Sequence, residues 1–441
     1  MTRDIAEDIP VRGQAAALDA DQAATVADPA GLESAVLLAR QPIFDRNHEV
    51  WGYELLYRSD TANHCEADEP GARATARVIV NSLLNIGIDS LVGPKLAFIN
   101  VDREMLLSES LRVLPRGRVV LEILESVAFD PEIAAACAVA RNNGFMLALD
   151  DVDARAYENP VLGLVDIIKV DFQTASPAAQ KRLASRLGGG VQPALLAEKV
   201  ETPEQFREAM SLGYQYFQGY FFARPSLVSG RTLSTDTISL LRILGQLTSP
   251  DVSISRLEAS VRQHVSLVHK LLRYVNSAAF GRQQSIQSVQ HSLTLLGIDQ
   301  LRKLLSLMVF ADINSKGPQE LLVMALLRAR MAEILAPSFG LAERQASLFL
   351  MGMFSLLDAI LLRPLEEILS ELNLDEDLSD ALLGRCPNQH PVRRLYELVV
   401  AYERSDWSAL VKGAEDAEIS LKDLSEGHLR AVRWADEVSA G

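Results

Sequence analysis

The stretch "ALLAEKVETPEQFREAMSLGYQYFQGYFF", residues 194–222, holds two apolar runs with a helical signal between them. Residues 194–200 and 214–222 are almost continuously apolar, the pattern of strands buried on both faces. Between them Thr202 stands as a helix N-cap, with Pro203 at the first helical position and Gln205 as its capping-box partner. Gly213 follows just past the end of that helix. The same alternation extends towards the amino terminus through "AVLLARQPIF" (35–44), "VWGYELLYR" (50–58), "KLAFINV" (95–101), "RVVLEIL" (118–124), "GFMLALDD" (144–151) and "DIIKVDF" (166–172). Eight strand-like runs with helical connections predict an α/β domain, a (β/α)8 TIM-like barrel over residues 35–226.

Beyond about residue 230 the rhythm becomes helical. "SRLEASV", "SLVHKLLRYVN", "DQLRKLLSLMVF", "ELLVMALLRARMAEIL" and "VRRLYELVVAYE" repeat apolar residues every three or four positions. An all-α domain over 227–441 is expected, joined through the linker-like "RPSLVSGRT" at 224–232. Residues 1–34 read as a disordered acidic leader, because acids interrupt every apolar run and leave no signal-peptide core. The 441-residue chain is 48% hydrophobic and carries a net charge of −15, which disfavours non-specific binding to nucleic acid or to an anionic membrane. An anionic ligand would therefore have to meet local cations or metal ions. Cys65, Cys137 and Cys386 are too scattered for a metal cluster or a disulfide framework, and they fit a reducing cytoplasm. No apolar run reaches the roughly 18 residues of a membrane span.

In a barrel of this kind, chemistry lies at the carboxyl ends of the strands. Those ends offer Glu54, Asn100, Glu122, Asp150 with Asp151, Lys169, Glu198 and Gln218. Taken singly, each has a plain structural reading: an acid after a strand commonly caps the next helix, a lysine is solvated, and an asparagine turns the chain. Their coincidence on successive strands points instead to a ring of hard oxygen ligands suited to Mg²⁺ or Mn²⁺. Two such ions can clamp the attacking and leaving oxygens of a phosphodiester.

The motifs then resemble a known family. "RQPIFD" (40–45), "ELLYR" (54–58), "FIN" (98–100), "LEILE" (121–125), "LDD" (149–151), "DIIKVD" (166–171), "AEKVET" (197–202) and "FQGYFFARP" (217–225) follow the order of an EAL domain. Active members of that family hydrolyse cyclic di-GMP to linear pGpG. The resemblance implies that Glu54, Asn100, Glu122 and Asp150 ligate metal, with Asp151 on a second ion. Lys169 would hold the attacking water or stabilise phosphate charge, and Glu198 would be metal ligand or general base. Gln41, Arg58 and Gln218 would hold the dinucleotide, Arg58 with a guanidinium suited to phosphate oxygens. Glu125 and Glu201 would support the ligands. The phrasing "ARQPIFD…GYELLYR" with "YFQGYFFARP" resembles the branch that carries a C-terminal HDOD domain.

The sequence also departs from that pattern. The family's D-D-F-G-T-G-Y-S-S loop reads "DDVDARAYENP" here, and little chain separates Asp150 from Lys169 for a crossover helix. In the family that loop helps place the second metal and contributes to homodimer contacts. "EGVE" has become "EKVE", so Lys199 is expected to bring a cation near Glu198, and Leu124 replaces a threonine between two glutamates. The ligand set suits a metal-dependent cyclic-guanylate phosphodiesterase. The alternative is a weak or inactive barrel acting as a cyclic di-GMP receptor or a protein-interaction scaffold.

Residues 254–312 resemble the HDOD fold, most tellingly in "LLRYVNSAAFGRQQSIQSVQHSLTLLGIDQLRKLLSLMV" (271–309). None of the seven histidines precedes an aspartate, so no His-Asp metal doublet is expected, and His264 and His269 read as structural or surface residues. "SVQHSLTLLGIDQLRKLL" has the glycine turn of a helix-turn-helix, but Leu301, Leu304, Leu305 and Met308 make its second helix a core helix. That composition argues against DNA binding and for a regulatory half that binds a signalling protein.

Overall fold

The computed structural model describes residues 36–59, 83, 86–150, 163–187, 193–221, 234–248, 253–276, 286, 288–315, 317–372 and 374–440. The acidic leader, the 224–232 linker and the altered loop from Asp151 to residue 162 lie outside the described residues. The strands are β1 (Val36–Phe44), β2 (Val50–Ser59), β3 (Leu96–Val101), β4 (Val119–Ile123), β5 (Met146–Leu149), β6 (Ile167–Asp171), β7 (Ala194–Glu198) and β8 (Tyr216–Gln218). They close into a barrel in sequence order, as expected. The α/β barrel followed by a helical region is the architecture of the chain.

One strand departs from a uniform (β/α)8 plan. β1 runs antiparallel to both β2 and β8, whereas all the later neighbours are parallel. The five-residue connection between β1 and β2 is far too short for a crossover helix and closes a hairpin instead. Asp45 folds that connection, accepting from the Asn47 and Glu49 N–H groups at 2.8 and 2.9 Å. A bulge next to it skips Trp51 in the register, and Trp51 stacks on Tyr216 at 3.7 Å.

The barrel interior is built in layers. Ile43, Phe98, Val120, Ala148, Ile167 and Leu196 form a closed apolar plug with Trp51, Leu96, Met146 and Tyr216 packed against it. Gly52 lets this layer close, since a Cβ there would lie 3.0 Å from the Phe98 ring. Side chains on a strand alternate faces, so two residues on from each plug position the chain again points inward. That step leads from Phe98 to Asn100, Val120 to Glu122, Ala148 to Asp150, Ile167 to Lys169, Leu196 to Glu198 and Tyr216 to Gln218. The polar layer is thus stacked on an apolar floor.

The described barrel helices are α1 (Ile88–Val92), α2 (Arg103–Leu107), α3 (Pro131–Asn142), α4 (Pro177–Leu187) and α5 (Pro203–Leu212). The α5 capping box forms as the sequence predicts, with Gly213 left-handed at the end. The helical region runs through α6 (Thr235–Thr248), α7 (Ile254–Val261), α8 (Val265–Val275), α9 (Val289–Leu296), α10 (Ile298–Ile313) and α11 (Gln319–Leu335). It continues with α12 (Gln345–Phe354), α13 (Leu357–Leu361), α14 (Leu365–Glu371), α15 (Glu376–Leu382), α16 (Pro391–Glu403), α17 (Trp407–Asp416) and α18 (Leu421–Ala440). No described helix is long and apolar enough to cross a membrane.

Helix α11 is buried nearly all round and is the axis of this region. With α16 and α18 it covers the outer face of the β1–β2 hairpin. Arg40 makes a bidentate pair with Asp436 at 2.7 and 2.8 Å, donates to the Leu91 carbonyl at 2.5 Å and lies over the Tyr53 ring. Tyr53 donates to Glu320 at 3.0 Å, and Tyr402 donates to the Leu38 carbonyl at 3.1 Å.

Candidate active site

Lys169 sits at the centre of the polar layer, 1% exposed. Its ammonium lies 2.6 Å from Glu198 Oε1, 3.2 Å from Asp150 Oδ1 and 3.5 Å from Glu54 Oε2, and it donates to Glu122 Oε1. Four strands and the end of a fifth therefore direct their polar side chains to one point. Asn100 Nδ2 donates to Glu54 Oε1 at 3.2 Å, and Gln218 Nε2 donates to Glu54 Oε2 at 2.7 Å and to Gln41 Oε1 at 3.2 Å. Gln41 stands opposite Glu54 in the hairpin register.

One ammonium cannot balance four carboxylates in a dry interior. Burial pushes Glu122 well above the ordinary carboxylate range, with Glu54, Asp150 and Glu198 adding to the effect. Burial and neighbouring acids push Glu198 up to about 7, although Lys169 opposes them. Burial also works against charge on Glu54, but Lys169, Gln218 and Asn100 hold it below its usual value. Lys169 is itself buried, yet the surrounding acids keep it firmly protonated.

The residues fit a divalent cation. Glu54, Glu122 and Glu198 each offer an oxygen, all within 4.8 Å of one another. Glu122 Oε2, Asn100 Oδ1 and Gln218 Oε1 are buried without a hydrogen-bond partner. Such orphaned acceptors call for a donor or a metal ion.

The remaining expected residues are placed unevenly. Glu201 is half-buried and accepts from Gln173 at 2.6 Å, while Glu125 stands exposed on the turn after β4. Asp151 and the Arg58 side chain lie outside the described residues. Lys199 does not turn to Glu198; its ammonium pairs with Asp171 at 2.6 Å. Lys199 is left-handed, with φ of 51°, and this backbone bend carries its side chain to the neighbouring strand.

Two contributors escaped the reading of strand ends. Asp171 is the next inward position after Lys169 and accepts from the Gln173 N–H at 2.6 Å as well as from Lys199. The same two-residue step would have found it. Tyr57 donates to the Asn100 carbonyl at 2.6 Å from the outer face of β2, where no pattern in the sequence marks it.

Residues 34–225 match the EAL domain family and residues 233–377 the HDOD domain family. The chain is 33% identical over 409 residues to the uncharacterized protein YuxH of Bacillus subtilis, covering 90% of this chain and 98% of that protein. It is also 33% identical over 404 residues to the cyclic di-GMP phosphodiesterase CdgJ of Vibrio cholerae, covering 91% of this chain and 93% of that one. The solved Bacillus subtilis YkuI protein, with an EAL domain, aligns at 22% identity over 61% of this chain and 72% of its own. Its TM-score of 0.35 adds nothing to the family match. With an EAL barrel in front and an HDOD region behind, matched nearly end to end by two relatives, the chain belongs to the EAL–HDOD family.

Proposed function

We propose that the barrel is a metal-dependent phosphodiesterase that hydrolyses cyclic di-GMP to linear pGpG. The observation that carries this reading is the convergence of Glu54, Glu122, Asp150 and Glu198 on Lys169, with orphaned acceptors on Glu122 and Asn100. The name of the Vibrio cholerae relative supports the substrate. Glu54, Asn100, Glu122, Asp150 and Glu198 would hold Mg²⁺ or Mn²⁺, with Asp151 as a further ligand. Such an ion supplies Lewis acidity and a bound water of lowered pKa.

The chain's own groups do the rest. Glu198 is metal ligand or general base; as base it receives the proton lost as the water oxygen bonds to phosphorus, while the ester P–O bond breaks and the departing ribose oxygen takes a proton from solvent to leave as a hydroxyl. Lys169 offsets the negative charge that grows on the phosphoryl oxygens. Gln41, Gln218 and Arg58 orient the dinucleotide, and Glu201 backs the turn after β6 through Gln173. The helical half is read as the part that receives a protein signal. Arg302 and Lys303, its cations nearest the glycine turn, are engaged by the Leu247 carbonyl and by Glu333, which leaves them ill placed to read DNA.

Purified protein incubated with cyclic di-GMP and Mn²⁺ or Mg²⁺ should release pGpG, and Glu54→Ala should abolish both release and metal retention. Binding without pGpG would make the barrel a receptor. Neither binding nor cleavage would overturn the reading.

A further inference from the structure

β1 belongs to the candidate site and to the contact with the helical region at once. On the inner side Gln41 faces Glu54 and accepts from Gln218. On the outer side Tyr402 holds the Leu38 carbonyl and Asp436 holds Arg40, while the amide nitrogen of the inward Gln41 side chain reaches the Arg404 carbonyl at 3.4 Å. Three of four successive positions on this strand are therefore tied to α16 or α18 or the turn between α16 and α17.

The turn that supplies the Arg404 carbonyl is fixed from two directions. Arg328 of α11, buried, forks onto Glu403 with bonds of 2.6 and 2.7 Å and anchors back to Ser355 Oγ at 3.0 Å. Tyr220, two residues beyond Gln218, donates its hydroxyl to the Glu403 carbonyl at 3.2 Å, and its ring lies under the Arg404 guanidinium. A mainly apolar cavity lined by Gln41, Gln218, Tyr220, Arg328, Glu403 and His428 runs between the two halves at this point.

We propose that Arg328 and Glu403 are positioning residues for the dinucleotide site, acting through the end of α16 on Gln41. The proposal rests on the cyclic di-GMP reading for its ligand. A bidentate guanidinium–carboxylate pair fixes direction as well as distance. Removing the charge of Glu403 frees the turn, and Gln41 must then be ordered by the ligand when it binds. Gln41 would touch the dinucleotide away from the reacting bond, so the effect falls on affinity and leaves the chemical step alone.

The test uses the full chain with Mn²⁺ and compares wild type, Glu403→Gln, Gln41→Ala and the double variant, measuring cyclic di-GMP affinity, KM and kcat. Glu403→Gln should raise Kd and KM about 3- to 10-fold, the equivalent of one hydrogen bond, with kcat within about twofold. The same change on the Gln41→Ala background should do nothing more. A folded Glu403→Gln with unchanged KM, or an equal loss on both backgrounds, overturns the proposal. Should Glu403→Gln not fold, Tyr220→Phe removes only the hydroxyl on the Glu403 carbonyl and is held to the same criteria. A wild type inert towards cyclic di-GMP would sink the functional reading but not this one, which is then judged by amide hydrogen exchange. Exchange in β1 should quicken in Glu403→Gln while β4 stays unchanged; an unaltered β1 would overturn it.

Discussion

Lys169 and Tyr57 show how differently single residues can serve the same site. Among the described residues Lys169 is the cation on which four carboxylates converge, so Lys169→Ala leaves the oxygen ligands but takes away the group facing developing phosphate charge. Turnover should fall by about 100-fold or more, with a much smaller loss of cyclic di-GMP affinity, as steady-state kinetics beside a binding titration would read. Equal losses in the two would mean that Lys169 is only a ligand contact. Tyr57 touches no ligand oxygen and steadies the Asn100 backbone. Tyr57→Phe should lower stability by about 1 kcal/mol in urea denaturation, the usual net worth of such a hydrogen bond. Lys169 was legible in the sequence because it is a charged residue near the end of an otherwise apolar strand-like run, "DIIKVDF". Tyr57 was not, since an outward tyrosine on a strand looks like any other packed aromatic.

At the scale of elements, legibility followed how local the determining physics is. The start and end of α5 are fixed by contacts within a few residues: Thr202 accepts from the Gln205 N–H, Gln205 reaches back, and Gly213 adopts a left-handed φ of 95°. Thr202→Ala should therefore destabilise the barrel by about 0.5–2 kcal/mol in thermal or chemical unfolding. An unchanged midpoint would mean that tertiary packing alone holds this helix. The direction of β1 is different in kind. Apolar runs carry a period but no polarity, so a buried strand reads the same in either direction. Its reversal could still have been read from the short 45–49 connection, which excludes a parallel crossover. The outer face of the β1–β2 hairpin was beyond reach, because the partners of Tyr53, Leu38 and Arg40, namely Glu320, Tyr402 and Asp436, are hundreds of residues away in sequence.

The two halves of the molecule meet over a carboxyl group whose ionisation the fold opposes. Glu320 opens α11, is fully enclosed, and accepts from Tyr53 beside Arg40 and Asp436. Burial pushes it up to about 7, with Arg40 and the Tyr53 hydroxyl pulling the other way and Asp436 and Glu403 reinforcing burial. In the unfolded chain it titrates near 4.5, so between those values the native state binds more protons than the unfolded one. Stability from this group is therefore full below the unfolded pKa and is lost as pH rises through about 7, a decline of about 3 kcal/mol at most. Glu198, also raised to about 7, contributes a slope of the same sign. Metal-free protein should accordingly melt at a lower temperature at pH 8 than at pH 5.5. Glu320→Gln keeps an acceptor for Tyr53 and removes its titration while leaving those of Glu122 and Glu198, so calorimetric scans across that range should show a shallower decline and a gain in stability at pH 8. A slope as steep as that of the wild type would mean that Glu320 is already ionised at neutral pH, paired with Arg40, and that the join between barrel and helical region does not respond to protons.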